Sequence, residues 1–159
     1  PLADEAPPPD CDVCWLPGGY PELHAGCIAA AAGFLNGLRR FAETKPVHGE
    51  CGGYMVLGRS LEDAGGERHA MAGLLPVETS FARRRLHLGY RGGTLRLAGM
   101  LGNAGACVRG HEFHYAGVTG GHPDAADALF NLADGEGEPL GLHGHQLGRV
   151  SGSFFHRIA

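Results

Sequence analysis

In the first half of the chain, short apolar runs alternate with segments whose apolar residues recur at the spacing of a helix. Residues 11–16 form an apolar run that stops at Pro17-Gly18-Gly19, which is typical of a buried parallel strand ending in a tight loop. Apolar residues then recur at three- and four-residue steps from Leu23 to Phe41, so this segment is predicted to be an amphipathic helix. A second brief strand is predicted over residues 45–48.

A glycine-rich segment follows the second predicted strand at once. It reads Gly49-Glu50-Cys51-Gly52-Gly53, and the apolar positions from Tyr54 onward predict a helix that fades at Gly65-Gly66. Strand, helix, strand and helix joined by short connections favour an α/β fold with an open, mostly parallel sheet and flanking helices.

Alternating apolar positions dominate the second half, where they predict an antiparallel extension of the sheet. A strand is predicted over residues 74–77, a hairpin over 86–97 with its turn at Gly92-Gly93, and a further strand over 111–115. The last predicted strand covers residues 149–156 and ends on a histidine.

Composition narrows the class of protein. The chain has 159 residues, 43% of them hydrophobic, which is enough for the core of one domain over residues 1–159. A formal charge of −4 argues against a nucleic-acid or anionic membrane surface, so a small-molecule substrate or a protein partner is expected. The five cysteines are an odd number, which does not suggest a set of disulfide pairs, and no apolar run is long enough to cross a bilayer. The cytoplasm is therefore the expected location.

The strongest chemical feature is the G-x-C-x-G pattern around Cys51, placed between a predicted strand and a predicted helix. This is the cysteine form of the nucleophile elbow, in which small neighbours permit a strained turn that exposes the sulfur. The helix N-terminus beneath it favours a thiolate. The alternative is that Cys51 is a small buried residue in a glycine-rich turn.

Two other segments supply the partners that such a nucleophile needs. The loop Pro17-Gly18-Gly19 ends the neighbouring strand, so its glycine amides and the amide of Gly52 are candidate donors to an oxyanion. His156 closes the final strand, where it can reach the same sheet edge and act as the base of Cys51.

Other motifs carry less weight. Cys11 and Cys14 have C-x-x-C spacing, but no second pair follows, and the two histidines of His111-Glu112-Phe113-His114 are not spaced as in zinc proteases. No metal site is expected. The chain also lacks a G-x-x-x-x-G-K-S/T phosphate loop, so it is not expected to use ATP alone.

Taken together, five blocks in the same order across nearly the whole chain resemble the glutamine amidotransferase domain of the cobyrinic or hydrogenobyrinic acid a,c-diamide synthases. The blocks are Pro17-Gly18-Gly19-Tyr20-Pro21-Glu22, Gly49-Glu50-Cys51-Gly52-Gly53-Tyr54, Leu88-Gly89-Tyr90-Arg91, Arg109-Gly110-His111-Glu112-Phe113-His114-Tyr115 and Gly152-Ser153-Phe154-Phe155-His156.

The resemblance implies a class I glutamine amidotransferase fold, which is flavodoxin-like, and roles for individual residues. Cys51 would attack the glutamine amide, Gly19 and Gly52 would hold the oxyanion, and His156 would shuttle the proton. Contacts with glutamine are implied for four residues: Gly18, Tyr54, Arg109 and Glu112.

The resemblance also implies that the chain is part of a larger enzyme. The ammonia would pass to an N-terminal synthetase domain of the same polypeptide, which would use ATP and magnesium to activate the a and c carboxylates of a corrin for cobalamin biosynthesis. The chain is thus expected to be a C-terminal piece of that synthetase, without the first strand of its sheet.

One departure from the wider superfamily concerns the base. Many class I amidotransferases carry a glutamate two residues after the catalytic histidine, and Ile158 stands there in this chain, which leaves a Cys-His dyad. The residues also leave open an amidotransferase for cobyric acid or for cell-wall lipid, a PfpI-type cysteine hydrolase, and a docking module without catalysis.

Overall fold

The computed structural model describes residues 2–158, which form three α-helices, a 3-10 turn and twelve β-strands. The helices are α1 Ala25–Ala30, α2 Ala32–Thr44 and α3 Gly52–Leu57, and the 3-10 turn is Pro21–Leu23. The strands are β1 Cys14–Leu16, β2 Val47–Glu50, β3 Ser60–Glu62, β4 Arg68–Ala70, β5 Glu78–Ser80, β6 His87–Leu95, β7 Cys107–His114, β8 Gly117–Gly120, β9 Ala128–Asp134, β10 Pro139–Leu147, β11 Val150–Ser153 and β12 Phe155–Arg157.

Eight of these strands form the main sheet in the order β1-β2-β11-β10-β9-β6-β7-β12. β1, β2 and β11 are parallel to one another. Beyond β11, the strands β10, β9, β6, β7 and β12 extend the sheet by antiparallel pairing. The α/β fold with an antiparallel extension that the sequence predicts is confirmed. The four remaining strands form a small sheet, β4-β3-β5-β8.

The main sheet curls back on itself, and the connection between β11 and β12 shows why. Phe154 alone separates these two strands in sequence, yet β10, β9, β6 and β7 lie between them in the sheet order. The far edge of the sheet must therefore return to the end of β11. Since β11 pairs with β2, this curl brings β12 next to the segment that follows β2.

The first predicted helix is interrupted. The segment from Leu23 to Phe41 forms a 3-10 turn, α1 and α2, with a break at Ala31 (ψ 72°). The N-terminal segment explains the break, because the Asp4 carboxylate accepts a hydrogen bond from the Phe34 amide at 2.8 Å. That contact satisfies a free amide in the first turn of α2 and so stabilises a new helix start.

The second predicted helix ends earlier than its apolar pattern suggests. α3 stops at Leu57, and Leu61 lies in β3 rather than in a helix. Gly58 is extended there, and a Cβ atom on it would lie 2.6 Å from the Val77 carbonyl oxygen. The predicted strand over residues 74–77 is also wrong, because these residues form a loop whose Leu75 amide donates to the Leu57 carbonyl at 2.9 Å.

The predicted hairpin turn at Gly92-Gly93 is wrong as well. Both glycines lie inside the continuous strand β6, which pairs with β7 on one side and β9 on the other. A Cβ atom on Gly93 would collide with the Asn131 carbonyl oxygen of β9. Glycine is needed here for close approach of a neighbouring strand rather than for a turn.

The largest buried cluster joins α1, α2 and α3 to the parallel strands and to β3. A smaller cluster under the antiparallel strands includes Leu95, Val108, Phe130 and Phe155. Within residues 2–158, no helix has the length and apolar character needed to span a membrane.

Candidate active site

Cys51 occupies a strained turn between β2 and α3. Its backbone angles are φ 49° and ψ −104°, a conformation that a residue with a side chain adopts only at a cost of about 1–3 kcal/mol. The Cys51 amide donates to the Ser153 carbonyl at 2.8 Å, which fixes the turn against β11. A Cβ atom on Gly49 would lie 2.6 Å from the Gly53 backbone, so the tight turn requires glycine there.

The loop after β1 lies directly against the elbow. A Cβ atom on Gly52 would lie 2.8 Å from the Gly19 amide nitrogen, so these two backbones are in contact. The Gly53 amide donates to the Pro17 carbonyl at 3.1 Å and ties the loop to the start of α3. The structure therefore brings together Gly19 and Gly52, the two predicted oxyanion donors.

His156 reaches the elbow from β12. It lies opposite His111 in the β7–β12 pairing, and the two rings stack at 5.0 Å between centroids with an angle of 11°. On the other side lies Gly18, where a Cβ atom would be 2.8 Å from His156 Cε1 and 3.7 Å from Cys51 Cβ. The ring is thus held between His111 and the loop, beside the nucleophile.

Glu50 is the acidic neighbour of this histidine. Its Oε2 atom lies 3.5 Å from His156 Nδ1, which leaves Nε2 for the thiol. A hydrogen bond with Cys51 and the interaction with Glu50 raise the pKa of His156 to about 9, against the desolvation that lowers it. This is the electrostatic pattern of a thiolate–imidazolium pair.

A cavity of about 330 Å³ opens above the Cys51 sulfur, a volume suited to one small metabolite. Its walls come from α3, β7, β12 and the segments that follow β1, β5 and β7. They include Gly18, Gly19, Met55, Phe81, His111, Phe113, Tyr115 and His156. Glu22 also lines it, and its Oε2 atom is buried without a hydrogen-bond partner. Burial raises the pKa of Glu22.

Three of the four residues predicted to contact glutamine lie outside the cavity walls. Tyr54 is buried in α3, with its hydroxyl 2.5 Å from His145 Nδ1. Glu112 is buried behind the cavity, where it accepts a hydrogen bond from Arg91 Nε at 2.8 Å. Despite burial, its interactions with His143 and Arg91 lower its pKa to about 2. Arg109 is exposed on β7. None of the three lines the cavity, whereas Gly18 does.

Several residues that line the cavity or touch the base were not predicted from the sequence. The alternation of His111, Phe113 and Tyr115 was the available signal, because it places three rings on one face of a strand. Glu50 could have been noticed as the residue before the elbow cysteine. Its distance from His156 depends on the curl of the sheet, which no local pattern encodes.

The same fold occurs in a glutamine amidotransferase of known structure. A solved structure described as a glutamine amidotransferase has a TM-score of 0.57 at 15% identity, covering 93% of this chain and 71% of that one, which shows the shared fold. The chain belongs to the CobB/CobQ-like glutamine amidotransferase domain family, whose model matches residues 1–159. The family resemblance found in the sequence is confirmed.

Similar relatives include hydrogenobyrinate a,c-diamide synthases of three bacteria. The protein of Mesorhizobium japonicum is 62% identical over 159 residues and that of Agrobacterium fabrum is 61% identical over the same length. The protein of Rhodobacter capsulatus is 59% identical over 160 residues. The chain spans about a third of each of these relatives, 36% in all three cases.

Proposed function

We propose that this chain is the glutaminase half of an ATP-dependent amidoligase, with Cys51 as nucleophile and His156 as its base. The observation that carries the proposal is the elbow geometry of Cys51, with the stacked His156 and the Gly19–Gly52 contact around one cavity. Membership of the amidotransferase domain family supports the same reaction.

The proposed reaction begins with attack of the Cys51 thiolate on the side-chain carboxamide carbon of glutamine. The carbonyl electron pair moves to oxygen, where the amides of Gly19 and Gly52 would stabilise it by about 3 to 4 kcal/mol per donor. As the tetrahedral adduct collapses, the nitrogen takes a proton from His156 and leaves as ammonia. Water then attacks the thioester while His156 accepts its proton, which returns the thiol and releases glutamate.

Two features of the cavity support glutamine as the occupant. The unpaired Glu22 carboxylate oxygen offers an acceptor to the α-ammonium group of an amino acid. The rings of Phe113 and Tyr115 provide apolar walls beside it. A ligand with an apolar stem and a cationic end would satisfy both.

The second half of the reaction is proposed from the relatives. Their name describes a,c-diamide synthesis from hydrogenobyrinate, and most of their length lies outside the matched region. We infer that ammonia from this chain passes to an N-terminal synthetase domain that uses ATP and magnesium to activate the corrin a and c carboxylates. All five cysteines are free, which supports a cytoplasmic location.

The decisive experiment is Cys51→Ala in the full-length polypeptide. Glutamine-dependent diamide synthesis should fall by at least about 1,000-fold, because the covalent step is lost, while synthesis from added ammonia should remain within about twofold of wild type. Product formation by chromatography with each nitrogen donor measures both rates.

Cys27→Ala is the matched control, because Cys27 is an exposed free cysteine on α1. Both of its rates should be unchanged. Retention of glutamine-dependent synthesis by Cys51→Ala would show that Cys51 is not the nucleophile and would favour a docking module. Turnover of cobyric acid precursors or cell-wall lipid would instead favour the amidotransferase of that system, and hydrolysis without amidation would favour a PfpI-type hydrolase.

A further inference from the structure

The base of this site lacks the usual carboxylate partner, and its environment shows what stands in for it. Ile158, at the position where a triad glutamate would follow, is 68% exposed. Glu50, at the end of β2, instead approaches the base, and its Oε2 atom lies 3.5 Å from His156 Nδ1. Within residues 2–158, it is the one carboxylate within 4 Å of a His156 nitrogen.

The Glu50 carboxylate is held on both sides. Oε2 faces the imidazole, while Oε1 accepts a hydrogen bond from the Arg157 amide at 3.3 Å. Its backbone is fixed too, because Glu50 ends β2 and pairs with Ser153 of β11. The Glu50 and His156 side chains are 13% and 22% exposed, so water screens the pair only in part.

Another acidic residue near the cavity, Glu112, has its charged partners elsewhere. Glu112 forms its closest ion pair with Arg91 and lies near His114 and His143, on the buried face of β7. Its charge is balanced there, and it does not contact His156.

We propose that Glu50 is the positioning residue of His156, so that this site works as a triad whose acid precedes the nucleophile instead of following the base. The assignment rests on the proposed roles of Cys51 and His156. By accepting a hydrogen bond from Nδ1–H, the carboxylate selects the tautomer that presents Nε2 to the sulfur and stabilises the imidazolium that forms.

This arrangement explains two other observations. The interaction with Glu50 contributes to the raised pKa of His156, and the same contact helps to lower the pKa of Glu50. Nucleophile and acid also occupy consecutive residues of one strained turn, so a single segment sets the distances of both to the base. The position of β12 then decides whether all three groups meet.

The test is Glu50→Gln in the full-length enzyme. The kcat of glutamine hydrolysis should fall by at least about tenfold, with KM changed less than about threefold, because the base is misplaced but the cavity is intact. The pH range of activity should also narrow from both sides, since the imidazolium loses a partner and the thiolate loses part of its stabilisation. Glu43→Gln, on an exposed site of α2, should behave as wild type.

A second variant keeps the result interpretable if Glu50→Gln folds poorly. Glu50→Asp keeps the charge one methylene farther away, so its pH limits should lie between those of wild type and Glu50→Gln. The pH dependence of Cys51 alkylation by iodoacetamide, followed on its peptide by mass spectrometry, should shift in the same order. Synthesis from added ammonia reports whether each variant is folded.

Wild-type pH limits in both Glu50 variants would overturn the positioning role, as would an equal loss of kcat at every pH. That outcome, combined with a loss of glutamine turnover in Cys51→Ala, would leave the glutaminase function intact and remove only the triad. Survival of glutamine turnover in Cys51→Ala would instead overturn the function itself.

Discussion

Gly18 and Gly19 are consecutive residues of the loop after β1, yet a methyl group would meet different surroundings at each. At Gly18 it would press on the His156 ring at 2.8 Å, whereas at Gly19 it would find no atom within 4 Å. Neither glycine has a positive φ, so alanine can adopt the backbone conformation at both positions. The two positions thus form a natural pair for testing the geometry of the base.

Gly18→Ala should lower the kcat of glutamine hydrolysis by about 10- to 100-fold, because a displacement of about 1 Å at a reacting group has effects of this size. Gly19→Ala keeps its amide and should stay within about threefold of wild type. Steady-state kinetics on both variants measure the contrast, and equal rates would mean that Gly18 does not position His156.

At this scale the nucleophile could be predicted from sequence, because an elbow is encoded in five consecutive residues around Cys51. The base could be placed only by its position at the end of a strand. Contacts across the curled sheet, such as Glu50 with His156 or His111 with His156, join residues far apart in sequence.

At the scale of elements, the pairing of β12 with β7 determines whether the base is in place. Gly110 faces this pairing, and a Cβ atom there would collide with the His156 carbonyl oxygen and lie 2.8 Å from the Phe155 ring. Gly92 of β6 provides a comparison in the same antiparallel region, because a Cβ atom there would meet only the Val108 carbonyl oxygen at 3.9 Å.

Gly110→Ala should therefore reduce the free energy of unfolding by about 1–3 kcal/mol, as overpacking does, and should lower glutaminase activity further by shifting His156. Gly92→Ala should change stability by less than about 0.5 kcal/mol. Urea denaturation of both variants tests the pairing, and a stable, active Gly110→Ala would show that β12 can move without consequence.

Elements were predictable where one local signal dominated. The strands before Pro17 and Cys51 end in loops that the glycines mark, and the structure confirms both strands with shifted bounds. The apolar pattern predicted the wrong element where a contact with a distant segment determined the structure. Examples are Asp4, which stabilises the start of α2, and β9, which packs on Gly93. A glycine pair signals a turn or a close approach equally well, and only the neighbouring strand decides between them.

For the molecule as a whole, buried histidines make stability depend on pH. His48 is 1% exposed in β2, the middle one of the three parallel strands, with Nδ1 2.8 Å from Ser151 Oγ, and desolvation lowers its pKa to about 4. Desolvation also lowers the pKa of His114 to about 4. Between pH 6.5 and 4 the unfolded chain binds protons at these rings that the folded chain does not, so lowering the pH favours unfolding.

His48→Gln should flatten this dependence, because the amide does not titrate. The wild-type protein should lose up to about 3 kcal/mol at His48 between pH 6.5 and 4, and the variant should lack that part of the slope even if its stability at pH 7 is lower. Thermal or urea unfolding at several pH values measures both. His24→Gln, at an exposed histidine, is the control, and an unchanged slope in His48→Gln would contradict the assignment.

The backbone of Cys51 has a consequence beyond catalysis. Glycine alone adopts φ 49° and ψ −104° without penalty, so the chain retains a destabilising residue at position 51 only as long as the thiol is needed. A lineage released from selection for hydrolysis would be expected to exchange that cysteine for glycine sooner than for alanine, because drift then also restores stability. The residue at this one position would therefore distinguish working members of the family from relatives kept for assembly alone.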